Sequence, residues 1–151
     1  MRLNRRQVLI LGAGATAVAA AGVPTMSIAA DDPTAQQVID KFTGGAAATS
    51  GRVDLGTPEI AENGNTVPIQ VSVESPMTTD DHVAEVLIVA DGNPRPDVAV
   101  FKFTELSGEA AASTRIRLAK TQNVIAVAKM SDGSFFMAKN AVKVTIGGCG
   151  G

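Results

Sequence analysis

Apolar and polar residues alternate through much of the chain beyond residue 52, with the period expected of strands that bury one face. The clearest stretch begins at Val67, where valine or isoleucine occupies every second position through Val73. Five further stretches are strand candidates: Val83–Ala90, Val98–Thr104, Ser113–Ala119, Gln122–Met130 and Phe135–Ile146. The pattern predicts an all-β domain.

The same alternation predicts which side chains form the core. We expect one face of each strand to be buried and its neighbours to face the other side of the sheet. The candidate core side chains are Ile116 and Leu118, then Val124, Ala126 and Ala128 with Ile125 and Val127 on the opposite face, and finally Val142, Val144 and Ile146.

Turn residues separate the candidate strands. Asn63-Gly64-Asn65 and Asp132-Gly133 predict hairpin turns, because Asn-Gly and Asp-Gly tolerate the positive φ that such turns need. Prolines at 94 and 96 predict a loop over 93–97. About seven short strands within roughly 95 residues predict an immunoglobulin-like antiparallel β-sandwich over 52–146. A small barrel is the alternative fold.

A short helix is predicted before the strands. Asp32 is the candidate N-cap and Pro33 the first helical residue, and the helix runs from there to Phe42. Val38 and Ile39 lie with Phe42 on one face. The small residues of 44–51 predict a loop. We therefore assign 30–51 to an N-terminal helix and linker.

The first 29 residues have the pattern of a signal peptide. A basic start containing Arg5-Arg6 precedes an apolar run over 8–21, which is shorter than the about 20 residues that span a bilayer. Small residues at the exit predict cleavage after Ala29, with Ala30 as the neighbouring alternative. The paired arginines resemble a twin-arginine signal, although Asn4 and Val8 depart from its usual pattern. A Sec signal and a retained membrane anchor are the alternatives.

Charge narrows the choice of partners. The chain has 13 basic and 15 acidic residues, and residues 1–29 contain three arginines and no acid, so the mature chain carries a formal charge of about −5. Nucleic acids and anionic membranes bind clustered positive charge, so we expect neither as a partner of the mature form. Five phenylalanines and no tyrosine or tryptophan also argue against a base-stacking surface.

Residues with catalytic side chains are sparse and isolated. His82 is the only histidine, and it has no neighbouring His or Cys that could complete a metal site. We therefore interpret it as a solvated surface residue. The pairs Asp31-Asp32 and Asp80-Asp81 are interpreted as cap and turn residues. No phosphate-binding loop, Gly-x-Ser-x-Gly or His-Glu-x-x-His motif occurs. We therefore expect no metal and no cofactor, and a domain that is not itself an enzyme.

The most distinctive chemistry lies at the C-terminus, which reads Gly147-Gly148-Cys149-Gly150-Gly151. The four glycines predict a flexible arm over 147–151, and residues 147–149 span at most about 10 Å when extended. The arm carries the only cysteine of the chain. No Lys, Arg or His lies beside it to lower a free-thiol pKa of about 8.5, so its activation would have to come from a partner.

Three interpretations of this thiol remain. It could be an incidental cysteine in a disordered tail, although an exposed unpaired thiol is a liability in an exported protein. It could make an intermolecular disulfide in a secreted β-sandwich interaction module. It could instead be a substrate attachment point that is presented to other proteins, and the flanking glycines favour this third interpretation over a fixed bridge.

Together the terminus, the signal and the all-β body resemble the SoxY family, the sulfur-carrier subunits of the periplasmic Sox thiosulfate-oxidising system. The glycine-flanked terminal cysteine is the most specific part of the resemblance. It extends over three segments of the body: Glu59–Pro68, Ser113–Ala119 and Ala126–Phe135. The resemblance implies covalent attachment of sulfur intermediates to Cys149, with no catalytic residue on this chain.

The resemblance also implies partners. A SoxZ-like β-sandwich subunit would form a heterodimer with this chain, and a SoxAX-type c-type cytochrome would couple thiosulfate to Cys149. A SoxB-type hydrolase would then release sulfate, and in complete systems a sulfane dehydrogenase would oxidise the remaining sulfur. The implied location is the periplasm.

Overall fold

The computed structural model describes residues 32–148, which form one helix, nine strands and a short 3₁₀ turn over Glu105–Ser107. The signal segment 1–29, its cleavage site after Ala29 and the terminal Cys149-Gly150-Gly151 lie outside the described residues. The helix α1 covers Ala35–Thr43. The strands are β1 (Thr49–Ser50), β2 (Val53–Gly56), β3 (Ile60–Asn63), β4 (Val67–Val73), β5 (Val83–Ala90), β6 (Asp97–Lys102), β7 (Ala110–Ile116), β8 (Gln122–Met130) and β9 (Phe135–Ile146).

Two sheets form a sandwich, which confirms the predicted fold. The larger sheet has the order β1-β9-β8-β5-β6, and β3 also pairs with β9. The smaller sheet has the order β2-β4-β7. Most pairs are antiparallel, but β1 and β3 run parallel to successive parts of β9, with Thr49 opposite Phe136 and Ile60 opposite Lys143. The edges of β6 and β7 have no further strand beside them in the described range, so the sheets stay open and no barrel closes.

The core between the sheets follows from the alternation of β4. Val67, Ile69, Val71 and Val73 are all at most 6% exposed and pack with inward residues of β5 and β8. Burying each of these branched side chains contributes about 1.5–3 kcal/mol, so this layer is a major source of hydrophobic stabilisation.

Strands β5 and β8 are buried on both faces. Helix α1 covers the outer face of the larger sheet, where Ile39 packs with a second apolar cluster that includes Ile125 and Val127. Val124, Ala126 and Ala128 face the inner core, so both predicted faces of this strand are confirmed as buried. Double coverage explains why β5 and β8 are almost continuously apolar instead of alternating.

Several boundaries differ from those predicted. Strands β1, β2 and β3 are two to four residues long and were not predicted individually. The segment 44–51 was interpreted as a loop, but Thr49–Ser50 forms β1. Strand β7 begins three residues before the predicted Ser113, because its pairing with β4 continues back to Ala110. Leu118 then lies beyond the strand, yet it is fully buried.

The two predicted hairpin turns have different outcomes. Asp132-Gly133 joins β8 to β9 with Gly133 at φ 85°, so this hairpin is confirmed. The side chain and backbone N–H of Ser134 donate hydrogen bonds to the Asp132 carboxylate, which lowers the pKa of Asp132 below 3.8. Asn63-Gly64-Asn65 is a turn, but the predicted hairpin is wrong, because it connects β3 in one sheet to β4 in the other.

The helix N-cap also differs from the prediction. The cap is Thr34, whose hydroxyl accepts a hydrogen bond from the Gln37 N–H, while the Gln37 side chain accepts one from the Thr34 N–H. This reciprocal capping box satisfies two end groups at once, so Thr34 replaces Asp32 in the role. No helix within residues 32–148 is long and apolar enough to cross a membrane.

Candidate functional site

The described chain ends at Gly148, one residue before the candidate attachment point Cys149. The structure therefore shows how the C-terminal arm leaves the domain, and Cys149, Gly150 and Gly151 themselves lie outside the described residues. Gly147 and Gly148 follow directly on β9. Their surroundings fix where the predicted arm begins.

Three backbone segments meet at the end of β9. The Gly148 N–H donates to the Leu118 carbonyl oxygen at 2.9 Å, the Leu118 N–H donates to the Gly64 carbonyl oxygen at 2.8 Å, and the Gly64 N–H donates to the Ile146 carbonyl oxygen at 2.7 Å. These hydrogen bonds join the β3–β4 turn, the β7–β8 loop and the end of β9. We call this arrangement of Gly64, Leu118, Ala119, Gly147 and Gly148 the arm root.

Three glycines of the arm root permit this close approach. A Cβ atom on Gly64 would overlap the Leu118 carbonyl oxygen, and one on Gly147 would overlap the Ala119 carbonyl oxygen. A Cβ atom on Gly148 would lie 2.8 Å from the Gly64 carbonyl oxygen, closer than real contacts allow. Any side chain at these positions would push the segments apart. Glycine is required here for proximity between backbones.

This packing adds a second role to two of the predicted arm residues. Gly147 and Gly148 were expected to supply flexibility, which stays a prediction. In the structure Gly148 is buried and hydrogen-bonded, and Gly147 lies against the β7–β8 loop. Ile146, expected in the core by its alternation with Val142, is 67% exposed just before them.

Two buried polar side chains hold the β7–β8 loop in place. Asn93 donates from Nδ2 to the Arg117 carbonyl oxygen at 2.8 Å, and its Oδ1 accepts from the Ala119 N–H at 2.9 Å. Gln122 donates from Nε2 to the same Oδ1 and to the Lys120 carbonyl oxygen, both at 2.9 Å. Asn93 is 8% and Gln122 7% exposed, and losing such bonds would leave buried groups unsatisfied.

Asn93, Gln122 and Gly64 were not predicted as site residues. Asn93 stands in a proline-containing loop and Gly64 in an Asn-Gly turn, so local sequence indicates a turn in both cases. Their role depends on segments distant in the chain that fold against them. The glycines at 64, 147 and 148 were the only sequence feature that could have indicated close packing of these segments.

His82 lies at the opposite end of the larger sheet from the arm root. Its ring Nδ1 is 3.0 Å from the Thr78 carbonyl oxygen, and Val83 beside it pairs with Met130 at the end of β8. The end of β9 instead lies beside the start of β8, where Val142 pairs with Gln122. The nine residues of β8 span about 27–30 Å, too far for His82 to contact the arm root.

Asp80 and Asp81 take part in local contacts, and residues 32–148 contain no metal-binding cluster. Asp81 lies 3.6 Å from the Arg52 guanidinium, and the backbone carbonyl of Asp80 accepts a hydrogen bond from Ser131. Both residues have turn and pairing roles, in line with their interpretation from the sequence. Within residues 32–148 no three His, Cys, Asp or Glu side chains converge in a metal-binding arrangement.

Comparison with known proteins identifies one family. The family described as "Sulfur oxidation protein SoxY" matches residues 39–149, a range that includes the terminal cysteine. The solved structure of the sulfur carrier protein SoxY from Chlorobium limicola f thiosulfatophilum is 30% identical, with a TM-score of 0.61. The match covers 71% of this chain and 88% of that one.

Other structural neighbours share the fold alone. A superoxide reductase (neelaredoxin) from Ignicoccus hospitalis is 16% identical with a TM-score of 0.56, over 63% of this chain and 81% of that one. The hypothetical protein PH1083 from Pyrococcus horikoshii OT3 is also 16% identical, with a TM-score of 0.54 over 68% of this chain and 98% of that one. No functionally curated sequence matches this chain significantly.

The arm root makes a prediction about Gly64. Gly64→Ala should lower the free energy of unfolding by about 2–3 kcal/mol, because the added methyl would break two backbone hydrogen bonds and leave buried groups unpaired. Chemical denaturation measures the change. Gly56→Ala is the matched control, since a Cβ atom there meets only ordinary contacts, 3.5 Å or more away. Equal stability of Gly64→Ala and the control would contradict the close packing described here.

Proposed function

The chain belongs to the SoxY family of sulfur oxidation proteins, and we propose that it carries sulfur intermediates covalently on Cys149 and presents them to partner enzymes. The observation that carries this proposal is the family match itself, which covers residues 39–149 and ends on the only cysteine of the chain. The likeness to a solved sulfur carrier protein at 30% identity supports it.

The arm root supports the position of Cys149 as an attachment point. The bond from Gly148 to Leu118 holds the backbone one residue before the cysteine. Gly150 and Gly151 follow in the sequence with no side chain that could block a narrow active site. An anchored Gly148 followed by glycines on the far side of the cysteine supports a thiol that is presented to other proteins.

The arm has two available lengths. With the arm root closed, the anchored backbone extends through Gly148. A single backbone hydrogen bond contributes about 0.5–1.5 kcal/mol net, so breaking the Gly148–Leu118 bond is inexpensive and frees two more residues. The freed segment 147–149 spans at most about 10 Å. We propose that partner enzymes use this longer form when the thiol must enter a pocket.

The proposed chemistry begins with oxidative coupling. The Cys149 thiol and thiosulfate form a new S–S bond, giving Cys–S–S–SO₃⁻, one proton and two electrons. A SoxAX-type c-type cytochrome would accept the two electrons. A SoxB-type hydrolase would then add water across the bond to the sulfonate sulfur, releasing sulfate and two protons and leaving Cys–S–S⁻. A sulfane dehydrogenase would oxidise the remaining sulfur in a complete system.

This division of labour makes the chain a carrier without catalysis of its own. His82, the only histidine within residues 32–148, lies at the far end of the larger sheet, so we assign the base that deprotonates the thiol to a partner. A SoxZ-like subunit would complete a heterodimer. The paired arginines of the first 29 residues support export to the periplasm by the twin-arginine route, after which the mature chain begins at Ala30.

Intact-protein mass spectrometry tests the carrier role. Protein isolated from thiosulfate-grown cells should show added masses of one or more sulfur atoms or of a thiosulfonate, removed by reductant and absent in Cys149→Ser. A single disulfide-linked dimer that does not respond to thiosulfate would contradict the proposal. That result would instead support the second candidate, an interaction module joined to its partner by an intermolecular disulfide through Cys149.

The glycines beyond the thiol make a separate prediction. Gly150→Val should slow sulfur transfer by about tenfold or more without changing domain stability, because a branched side chain would obstruct entry into a narrow partner channel. Rates with purified partner enzymes and a denaturation curve provide both readouts. Unchanged rates would contradict a channel. Gly148→Val is a poor substitute, because its Cβ would collide with Gly64 and disturb the arm root.

A further inference from the structure

A cleft of about 360 Å³ opens between the edges of β6 and β7, where neither sheet has a further strand in the described range. Three arginines line it: Arg95 from the β5–β6 loop, and Arg115 and Arg117 from the end of β7. Asp97 is the one acidic residue among the lining side chains. The lining therefore carries a formal charge of about +2.

This concentration of positive charge contrasts with the rest of the domain. Residues 32–148 contain ten basic and fourteen acidic residues, and three of the four arginines in this range line the one cleft. Within the described chain none of these three approaches a carboxylate within 4 Å, whereas the fourth, Arg52, pairs with Asp81. Three guanidinium groups thus line one cleft with a single carboxylate, Asp97, among them and with no ion pair within 4 Å in the described chain.

The backbone around the cleft is well supported. Pro94 and Pro96 flank Arg95, restricting the loop that carries it, and Pro96 is fully buried. The buried Asn93 side chain donates to the Arg117 carbonyl oxygen and so joins the two walls of the cleft. Arg115 and Arg117 are exposed on either side of the buried Ile116. Such preorganisation lowers the cost of ordering the site around a ligand.

We propose that this cleft is a binding site for a sulfur oxyanion, of the class of thiosulfate or an organic thiosulfonate. Guanidinium groups donate paired hydrogen bonds to tetrahedral oxyanions, and three of them match a group with three terminal oxygens. The choice of a sulfur oxyanion rests on the proposed function. The positive cleft and its arginines do not depend on it.

The cleft is directly connected to the arm root. Arg117 immediately precedes Leu118, whose carbonyl oxygen accepts the Gly148 hydrogen bond. Two ligands share the required chemistry: free thiosulfate, and the terminal sulfonate of an adduct on Cys149. The first would bind to the domain independently of the thiol, and the second would hold a loaded Cys149 against its own domain.

Titration of Cys149→Ala with sodium thiosulfate, followed by NMR, tests the site without any adduct. We expect saturable shifts of the Arg95, Arg115 and Arg117 Nε–H signals, weakened by added chloride. The double variant Arg115→Gln/Arg117→Gln should lose at least tenfold in affinity. Lys139→Gln, which removes an exposed cation from β9, should not. Shifts that do not saturate, or an equal affinity in the double variant, would overturn the proposal.

Chemical loading distinguishes the two sources of the anion. Tetrathionate reacts with the Cys149 thiolate to form Cys–S–S–SO₃⁻ and release thiosulfate, so no partner enzyme is needed. If loading shifts the arginine signals and excludes added thiosulfate, the adduct occupies the cleft. If only free thiosulfate shifts them, the site collects the free anion. Both results support an oxyanion site. If neither free thiosulfate nor tetrathionate loading shifts the arginine signals, the oxyanion site is overturned. That outcome is independent of the mass spectrometry that tests the carrier role.

Discussion

The close approach of three backbone segments at the arm root is the constraint on which the rest of the account depends. Gly64, Leu118 and Gly148 are joined through consecutive backbone hydrogen bonds of 2.7–2.9 Å, and their spacing leaves no room for a side chain at the glycines. The sandwich brings these segments together because β3 runs parallel to the end of β9 while the following turn crosses to the smaller sheet. The folded domain thereby anchors the chain at Gly148, the residue before the proposed attachment point Cys149.

In this arrangement the residues that stabilise the domain are different from the residue that carries the proposed chemistry. The core lies between the two sheets and under helix α1, whereas Cys149 follows Gly148, which is hydrogen-bonded to Leu118 two residues beyond the end of β9. Substitutions beyond Gly148 can therefore change reactivity or access without affecting the core. Substitutions at Gly64 or Gly148 act on both. This division suits the proposed carrier function, in which the thiol would meet several partners while the fold remains unchanged.

How much of the fold and of the candidate site could be predicted depended on whether a feature arises from neighbouring residues or from residues distant in the chain. Strand β4 was predictable because its alternation reports one buried face, and β5 and β8 because their apolar runs are long. The short strands β2 and β3 were missed, since four residues such as Val53–Gly56 carry little periodicity. The Asn63-Gly64 hairpin was wrong for a related reason: turn residues indicate a local reversal, but not which strand the chain pairs with afterwards. Cys149 was conspicuous in the sequence, whereas Asn93 and Gln122 became recognisable only through their buried hydrogen bonds.

Amide hydrogen exchange at the last residues of the chain tests most directly whether a fixed root carries a mobile thiol. The account predicts that the Gly148 N–H exchanges about 2–10-fold more slowly than the amide of an unstructured peptide, because it donates to the Leu118 carbonyl oxygen and breaking one such bond costs about 0.5–1.5 kcal/mol. The amides of Cys149 and Gly150 should exchange at the rate of an unstructured peptide. Equal, unprotected exchange at Gly148 and Cys149 would contradict the arm root, and strong protection at Cys149 would contradict a mobile thiol.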